Sequence, residues 1–204
     1  RRNRVDGIIA LTYSRALQFS SAIPVVGIDR RFGRGIPCVS SDNYAGGQLA
    51  AQKLIELGCE KPLFLSTMTD VATEVAKRKD GFCAECRVRG VNAAVCEKLG
   101  TSGFEVLEDF LTAHIHSGTF DYDGIFCVSD WLAYQTCVFL EKHGVAVPRD
   151  VQVIGYDGIR KFGYLDRFCS TIVQPADKIA KTCVNIVLSE DYADTPELLC
   201  LPVQ

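Results

Sequence analysis

Short apolar runs rich in β-branched residues alternate with helical stretches from one end of the chain to the other. These runs predict strands at residues 5–11, 24–28, 63–66, 91–96, 124–128 and 151–155. Helices are predicted at residues 13–21, 77–89, 103–116 and 131–143, after the capping sequence Ser41-Asp42-Asn43, and after Pro175. Strands that are apolar throughout and separated by helices are typical of a parallel sheet covered on both faces. The sequence therefore predicts an α/β protein.

Size and charge exclude several classes of protein. The 204 residues, 48% of them hydrophobic and 23% charged, suffice for one domain or two small lobes with a packed core. The formal net charge is -3, and no basic stripe occurs apart from Arg1, Arg2 and Arg4, so we do not expect this piece to bind duplex DNA itself. No apolar run has membrane-spanning length and no signal-peptide pattern opens the sequence, so no membrane partner is expected.

Ten cysteines are scattered along the chain, mostly inside apolar runs such as residues 124–128. A cysteine in such a run behaves as a small hydrophobe, which favours unpaired thiols and a reducing cytoplasm. The one close pair, Cys83 and Cys86, lacks the second pair or the spaced histidines of a zinc site. We therefore expect neither a disulfide framework nor a metal, and no cofactor.

Polar side chains follow one predicted strand after another. They are Asp29 and Arg30, Ser66 and Thr67 with Arg78 on the next helix, Ser129 and Asp130, and Asp157. Ligands of open α/β sheets bind beyond the carboxyl ends of the strands, where these residues are expected. Carboxylates and a guanidinium suit a polyhydroxylated small molecule, because the former accept from hydroxyls and the latter donates through a planar fork. The alternative is that these residues are helix caps and solvated surface charges.

Six segments in order resemble one family. They are IPVVGIDR (23–30), VSSDNYAGG (39–47), LIELG (54–58), RKDGF (78–82), SGF (102–104) and VPRDVQVIGYD (147–157). Together they resemble the effector-binding part of the lactose/galactose repressor (LacI/GalR) family of bacterial transcription regulators, over essentially the whole chain.

The resemblance implies the fold of type I periplasmic sugar-binding proteins, with two parallel-sheet lobes and the effector in the cleft between them. It also implies a cytoplasmic homodimer that controls transcription allosterically. A sugar-like effector would shift the angle between the lobes and change how tightly helix-turn-helix headpieces hold operator DNA.

Site residues follow from the same resemblance. The family's cleft positions fall on Arg78, Asp157, the pair Ser129 and Asp130, and the pair Asp29 and Arg30. Glu74 is either a further cleft residue or an exposed partner of Arg78 four residues on, and Trp131 either walls the cleft or belongs to the core. Lys98 stands where many relatives have an aromatic residue that stacks on the ligand ring. Four explanations stay open: the alignment shifts locally, the effector makes no stacking contact, Lys98 binds a phosphate on the effector, or Lys98 is a solvated lysine in a loop.

Comparison with the family also predicts boundaries. We expect residues 1–37 with 173–194 to be the remnant of the N-terminal lobe, and residues 38–172 with 195–204 to be the C-terminal lobe. The headpiece and two strand-helix units, about 60 residues at roughly 30 per unit, have no counterpart here. The first lobe should therefore be incomplete and expose apolar surface.

Two other functions remain open from the sequence. One is a periplasmic sugar-binding protein of a transporter, which the scattered cysteines disfavour. The other is a glycosidase that uses Asp130 and Asp157 as paired carboxylates. Because no nucleophile elbow, phosphate loop or metal-binding histidine set accompanies them, we expect no enzyme activity.

Overall fold

Two separate parallel sheets carry the alternating strands and helices of the sequence. The computed structural model describes residues 5–12, 19, 23–68, 73–100, 103–159 and 169–204, and these divide into two units. The first unit comprises the described residues within 1–43, 71–76 and 175–203, and the second those within 44–70 and 77–174 together with Gln204. Apart from Phe19, the helix expected at residues 13–21 lies outside the described residues, as do Arg1, Arg2 and Arg4.

Four parallel strands form the sheet of the first unit. Their spatial order is β1, β2, β3, β11, where β1 is Ile8–Ala10, β2 is Val25–Ile28, β3 is Cys38–Ser41 and β11 is Leu198–Leu201. A helix that begins at Ala176, directly after Pro175, covers this sheet (α5, Ala176–Val187). Its Ile179, Cys183 and Ile186 pack with strand residues Val26 and Val39, as the helical spacing of the apolar residues predicts.

Five parallel strands form the sheet of the second unit. Their order is β10, β9, β8, β4, β5, where β4 is Pro62–Met68, β5 is Ala94–Leu99, β8 is Gly124–Cys127, β9 is Gln152–Asp157 and β10 is Ser170–Val173. Its helices are α1 (Asn43–Glu56), whose first residue, Asn43, still belongs to the first unit, α2 (Lys77–Val88), α3 (Glu105–Ala113) and α4 (Asp130–Lys142). The α/β class with two parallel sheets is thus confirmed.

A cluster of phenylalanines fills one face of the second sheet. The ring of Phe126 on β8 lies 5.5 Å from that of Phe64 on β4 and 5.3 Å from that of Phe82 on α2, measured between centroids. All three are buried. Aromatic rings at these separations bury large apolar areas and pack specifically, so α2 is held firmly against the strands.

Glycines allow α1 and α2 to pack in close contact. A Cβ atom at Gly47 of α1 would overlap the backbone of Arg78, and one at Gly81 of α2 would overlap the backbone of Tyr44. Any larger residue at either position would force the helices apart. Gly47 and Gly81 therefore set how closely the beginning of α2, and Arg78 with it, approaches α1.

Several boundaries differ from the expected ones. Strand β3 hydrogen-bonds in parallel to β2, and β11 to β3, so both lie in the first unit rather than in the second lobe to which residues 38–41 and 195–204 were assigned. The helix expected to reach His116 ends at Ala113, and a short hairpin follows, with strands β6 (Ile115–His116) and β7 (Thr119–Phe120). The strand expected at 91–96 runs instead from Ala94 to Leu99.

Candidate functional site

Polar side chains gather where the parallel strands of the second unit end. Strand β8 is followed by Val128, Ser129 and Asp130, and β9 ends at Asp157. Because parallel strands end at the same edge of a sheet, these residues share one edge with the first turn of α2. We call Arg78, Val128, Asp130, Asp157 and Gln174 the carboxyl rim.

Arg78 is held on three sides. Its Nη1 donates a hydrogen bond of 2.6 Å to the carbonyl oxygen of Val128 and lies 3.7 Å from Oδ1 of Asp157. Its guanidinium carbon is 3.5 Å from the centroid of the Tyr156 ring. The residue is only 3% exposed, so the cation is stacked on an aromatic face and largely desolvated. The planar donor fork is therefore pre-organised next to a carboxylate.

Asp157 has an unusual backbone conformation at the end of β9. Its φ is +125°, a value that side-chain-bearing residues rarely adopt and that stores about 1–3 kcal/mol of strain. Gln174, which directly follows β10, donates from Nε2 to Oδ1 of Asp157 at 2.7 Å and from its backbone N–H to the Asp157 carbonyl at 3.3 Å. The side chain stays 25% exposed. Asp157 is therefore fixed in position yet accessible to a ligand.

Asp130 is the buried carboxylate of the rim. Its Oδ2 accepts a 2.7 Å hydrogen bond from the backbone N–H of Ile159, and its Oδ1 lies over Gly155, where a Cβ atom would overlap it. Burial raises the pKa of Asp130, and nearby donors, the Thr171 hydroxyl first among them, offset only part of that rise. Gly155 therefore leaves the space in which this carboxylate sits on the sheet.

Ser129 and Trp131 have structural contacts of their own. The Ser129 hydroxyl accepts a hydrogen bond of 3.2 Å from the backbone N–H of Leu132 and caps α4, which is the alternative that the sequence left open. Trp131 is 45% exposed and stacks on Tyr134, with ring centroids 5.8 Å apart. Trp131 is therefore not a core residue.

The first unit holds the other expected residues. Asp29 directly follows β2, has a φ of +56° and is buried. Its Oδ1 accepts hydrogen bonds from Ser40 at 2.6 Å and from Asn43 at 3.4 Å. Arg30 donates from Nη1 to the carbonyl of Thr12 and stacks over Phe32.

Glu74 is buried rather than exposed, and it pairs with Arg31, whose Nε lies 3.1 Å from its Oε1. The Glu74 backbone N–H donates to the Asp29 carbonyl at 2.8 Å, which links the two acidic site candidates of the first unit. Arg31 was not among the expected site residues, because the sequence analysis singled out Arg30 next to it.

Two residues at or next to the carboxyl rim were missed by sequence reasoning. Tyr156, which precedes Asp157, supplies the aromatic face under Arg78. Gln174 follows β10 as the other polar residues follow their strands, so the same rule would have found it had that strand been predicted. Of the remaining candidates, Ser66 is fully buried in β4, and Lys98 is exposed on β5, the outermost strand of its sheet.

Within the described part of the chain, no three histidine, cysteine, aspartate or glutamate side chains converge as metal ligands would. No helix among the described residues is long and apolar enough to cross a membrane.

Comparison with known proteins identifies the family. Residues 1–183 match the model of periplasmic binding proteins and the sugar-binding domain of the LacI family. The chain belongs to this family. A structure of a periplasmic binding protein/LacI transcriptional regulator from Alkaliphilus metalliredigens, complexed with D-xylulofuranose, superimposes with a TM-score of 0.77 at 28% identity. The match covers 90% of this chain and 68% of that one. The LacI-type fold expected from the sequence is thus confirmed.

Two curated relatives are repressors of sugar operons. The sucrose operon repressor of Streptococcus mutans is 28% identical over 204 residues, covering 98% of this chain and 62% of the relative. The ribose operon repressor of Bacillus subtilis is 31% identical over 202 residues, covering 96% of this chain and 60% of the relative. This LacI-family chain thus spans about three fifths of the length of these relatives.

Proposed function

We propose that the chain is the sugar-sensing part of a LacI-family transcription regulator, and that the carboxyl rim of the second unit binds the sugar. The observation that carries the proposal is the fixed geometry of Arg78. Its guanidinium is stacked on Tyr156 and bonded to the Val128 carbonyl, 3.7 Å from the accessible Asp157 carboxylate. A donor fork next to an acceptor matches vicinal hydroxyl groups, which need both.

A neutral sugar is the effector that this proposal favours. Asp130 and Asp157 are two acidic side chains beside one arginine. Carboxylates accept hydrogen bonds from hydroxyl groups and repel a phosphate. The related structure contains D-xylulofuranose, and the curated relatives are named for sucrose and ribose operons, which supports a sugar of this general class.

The regulator as a whole is proposed to act as a cytoplasmic repressor. Sugar binding would change the conformation of this part of the protein. In a homodimer, that change would alter the affinity of the helix-turn-helix headpieces for operator DNA. The names of the curated relatives support this reading over that of a transport protein. The absence of any disulfide among the ten cysteines suits the cytoplasm.

We propose a binding role and no catalysis for the rim carboxylates. Both carboxylates accept hydrogen bonds within the fold, Asp130 from the Ile159 amide and Asp157 from the Gln174 side chain. A panel of aryl glycosides incubated with the protein should show no turnover above buffer. Release of the aryl group that disappears in Asp130→Asn would revive the glycosidase alternative.

A thermal-shift screen tests the proposal directly. The panel contains ribose, xylulose, sucrose and the phosphate of each pentose. A sugar at 100 times its dissociation constant adds about 2.7 kcal/mol to the free energy of unfolding, which raises Tm by about 5–10 °C. A rise in Tm with neutral sugars supports the carboxyl rim as the sugar site. A rise confined to the sugar phosphates would instead place a cation such as Lys98 at the site.

Arg78→Lys is the matching variant. It keeps the charge but loses the planar fork, and we expect the dissociation constant of the best sugar, measured by calorimetry, to rise about 10-fold or more. Arg149→Lys is the control, because Arg149 is exposed and pairs with its neighbour Asp150. If Arg78→Lys binds the sugar as tightly as the control, the assigned site is wrong.

A further inference from the structure

Two cysteines of the second unit lie in direct contact. The sulfurs of Cys137, on the buried side of α4, and Cys169, next to the first residue of β10, are 3.4 Å apart, although 32 positions separate them in the sequence. Cys137 is fully buried and Cys169 is half-buried. None of the ten cysteines is in a disulfide. The fold therefore brings together two thiols that differ in their access to solvent.

Cys127 is the third cysteine near this pair, and its surroundings keep it unreactive. Its Sγ donates a hydrogen bond to the Thr136 hydroxyl at 3.7 Å. Burial raises the pKa of the Cys127 thiol well above its ordinary value, and the neighbouring Cys169 adds to the rise. Because the Cys127 sulfur is hydrogen-bonded to Thr136, whereas the sulfurs of Cys137 and Cys169 contact each other, Cys127 is the less favoured partner for either sulfur of the pair.

We propose that Cys137 and Cys169 are a redox-active pair, which a peroxide oxidises to a disulfide that ties α4 to β10. The sulfur of Cys169, the accessible one, attacks the peroxide, takes up one oxygen as a sulfenic acid, and releases the other oxygen as water. The sulfur of Cys137 then displaces this hydroxyl as a second water, and the S–S bond forms. Two thiols and one hydrogen peroxide thus give one disulfide and two waters, and a dithiol reductant reverses the change.

The pair is coupled to the carboxyl rim through β10. Thr171, two residues after Cys169, accepts a hydrogen bond of 3.1 Å from the backbone N–H of Gly158, which follows Asp157. The next amide, that of Ile159, donates to Asp130 at the beginning of α4. A bond between α4 and β10 therefore closes a ring of contacts around the rim, and oxidation would restrain the segment that carries Asp157.

Peroxide treatment of the full chain tests the proposal. One equivalent of hydrogen peroxide should lower the intact mass by about 2 Da, the mass of two hydrogen atoms, and peptide mapping should find Cys137 linked to Cys169. Dithiothreitol should restore the mass. The disulfide should raise Tm by about 4–10 °C, because it restricts the unfolded chain. Hydrogen exchange at the Gly158 and Ile159 amides should slow at least about threefold in the oxidised form.

Two variants separate this pair from the other thiols. Cys169→Ser, at a half-buried position, should abolish the linkage and the rise in Tm, whereas Cys200→Ser, which removes an exposed thiol of the first unit, should keep both. Oxygen added to Cys169 without a linkage, or linkages spread over other cysteines, would overturn the proposal. Unchanged exchange at Gly158 and Ile159 in the linked protein would overturn its coupling to the rim. Neither result depends on sugar binding.

Discussion

Asp130 places an ionisable group in a buried position of the rim. Because burial raises its pKa above the ordinary value of 3.8, the folded protein favours the protonated carboxyl more than the unfolded chain does. The stability that this preference contributes is fully present below 3.8 and is lost as the pH rises through the raised pKa of the folded state.

Asp130→Asn should therefore show a pH-dependent effect. The free energy of unfolding of the wild type, relative to this variant, is expected to fall as the pH rises from about 3.5, and then to level off. Urea denaturation of both proteins between about pH 3.5 and 7 measures it.

Asp150→Asn is the control with the opposite sign. The Arg149 guanidinium, and after it the Ala146 amide, lowers the pKa of Asp150 to about 2, so its contribution is lost as the pH falls. A difference between wild type and Asp130→Asn that rises with pH would contradict the raised pKa of Asp130.

Arg78 shows how burial changes what a residue does. From the sequence, Arg78→Ala is expected to abolish effector binding and leave the fold intact, because the side chain is expected at a cleft and not in a core. The structure shows a residue that is 3% exposed and bonded to the Val128 carbonyl. Its removal would leave that carbonyl without this partner, at a cost of about 1–3 kcal/mol. Arg78→Lys is therefore the better test of binding.

At the scale of elements, helix α4 depends on its cap. The amphipathic pattern of residues 131–143 predicted the helix, and its observed bounds, Asp130–Lys142, lie within a residue of the predicted ones. What the pattern left open was whether Ser129 serves the ligand or the helix. The hydrogen bond from Leu132 to its hydroxyl shows that it serves the helix.

Ser129→Ala should therefore destabilise the protein more than it weakens binding. Loss of an N-cap costs about 1 kcal/mol, or about 2–4 °C in Tm, and we expect the sugar dissociation constant to change less than about threefold. Ser129→Asp, which keeps a capping oxygen, should melt within about a degree of the wild type. Weakened binding at an unchanged Tm in Ser129→Ala would instead make Ser129 a ligand contact.

At the scale of the whole molecule, the first unit is assembled from three distant parts of the chain. Strand β11 pairs with β3, in the register Leu198 to Cys38, across most of the sequence. Tyr192 adds a second long-range tie, since its hydroxyl donates to the Val25 carbonyl at 2.7 Å and accepts from the Val25 amide at 3.1 Å. This unit therefore depends on contacts between residues 167 positions apart.

Tyr192→Phe should loosen the first unit selectively. We expect the free energy of unfolding to fall by about 1–2 kcal/mol. Hydrogen exchange should become faster at the Gly27 amide, which lies two residues after Val25 and donates to the Pro37 carbonyl. The Val128 amide of the second unit, bonded to Leu65, should exchange as in the wild type.

Tyr134→Phe is the control for this prediction. Tyr134 lies on helix α4 of the second unit, where its ring stacks on Trp131. An equal change at Gly27 in both variants would contradict the role assigned to Tyr192.

The sequence by itself determined the parallel α/β class and most of the elements of the second unit. It also placed Arg78, Asp130 and Asp157 at one edge of a sheet. These features depend on local patterns, namely apolar runs, helical spacing and the rule that ligands bind beyond the ends of parallel strands. They could be predicted because each depends on residues close together in the chain.

Only the tertiary structure decided which sheet each short strand joins and which candidate residues touch. Strand β3 has four residues and could pair with either sheet until its hydrogen bonds to β2 and β11 are known. Tyr156 under Arg78, Gln174 on Asp157 and Cys169 against Cys137 are likewise contacts between elements distant in sequence. Such contacts depend on how helices and strands pack, which no local pattern records.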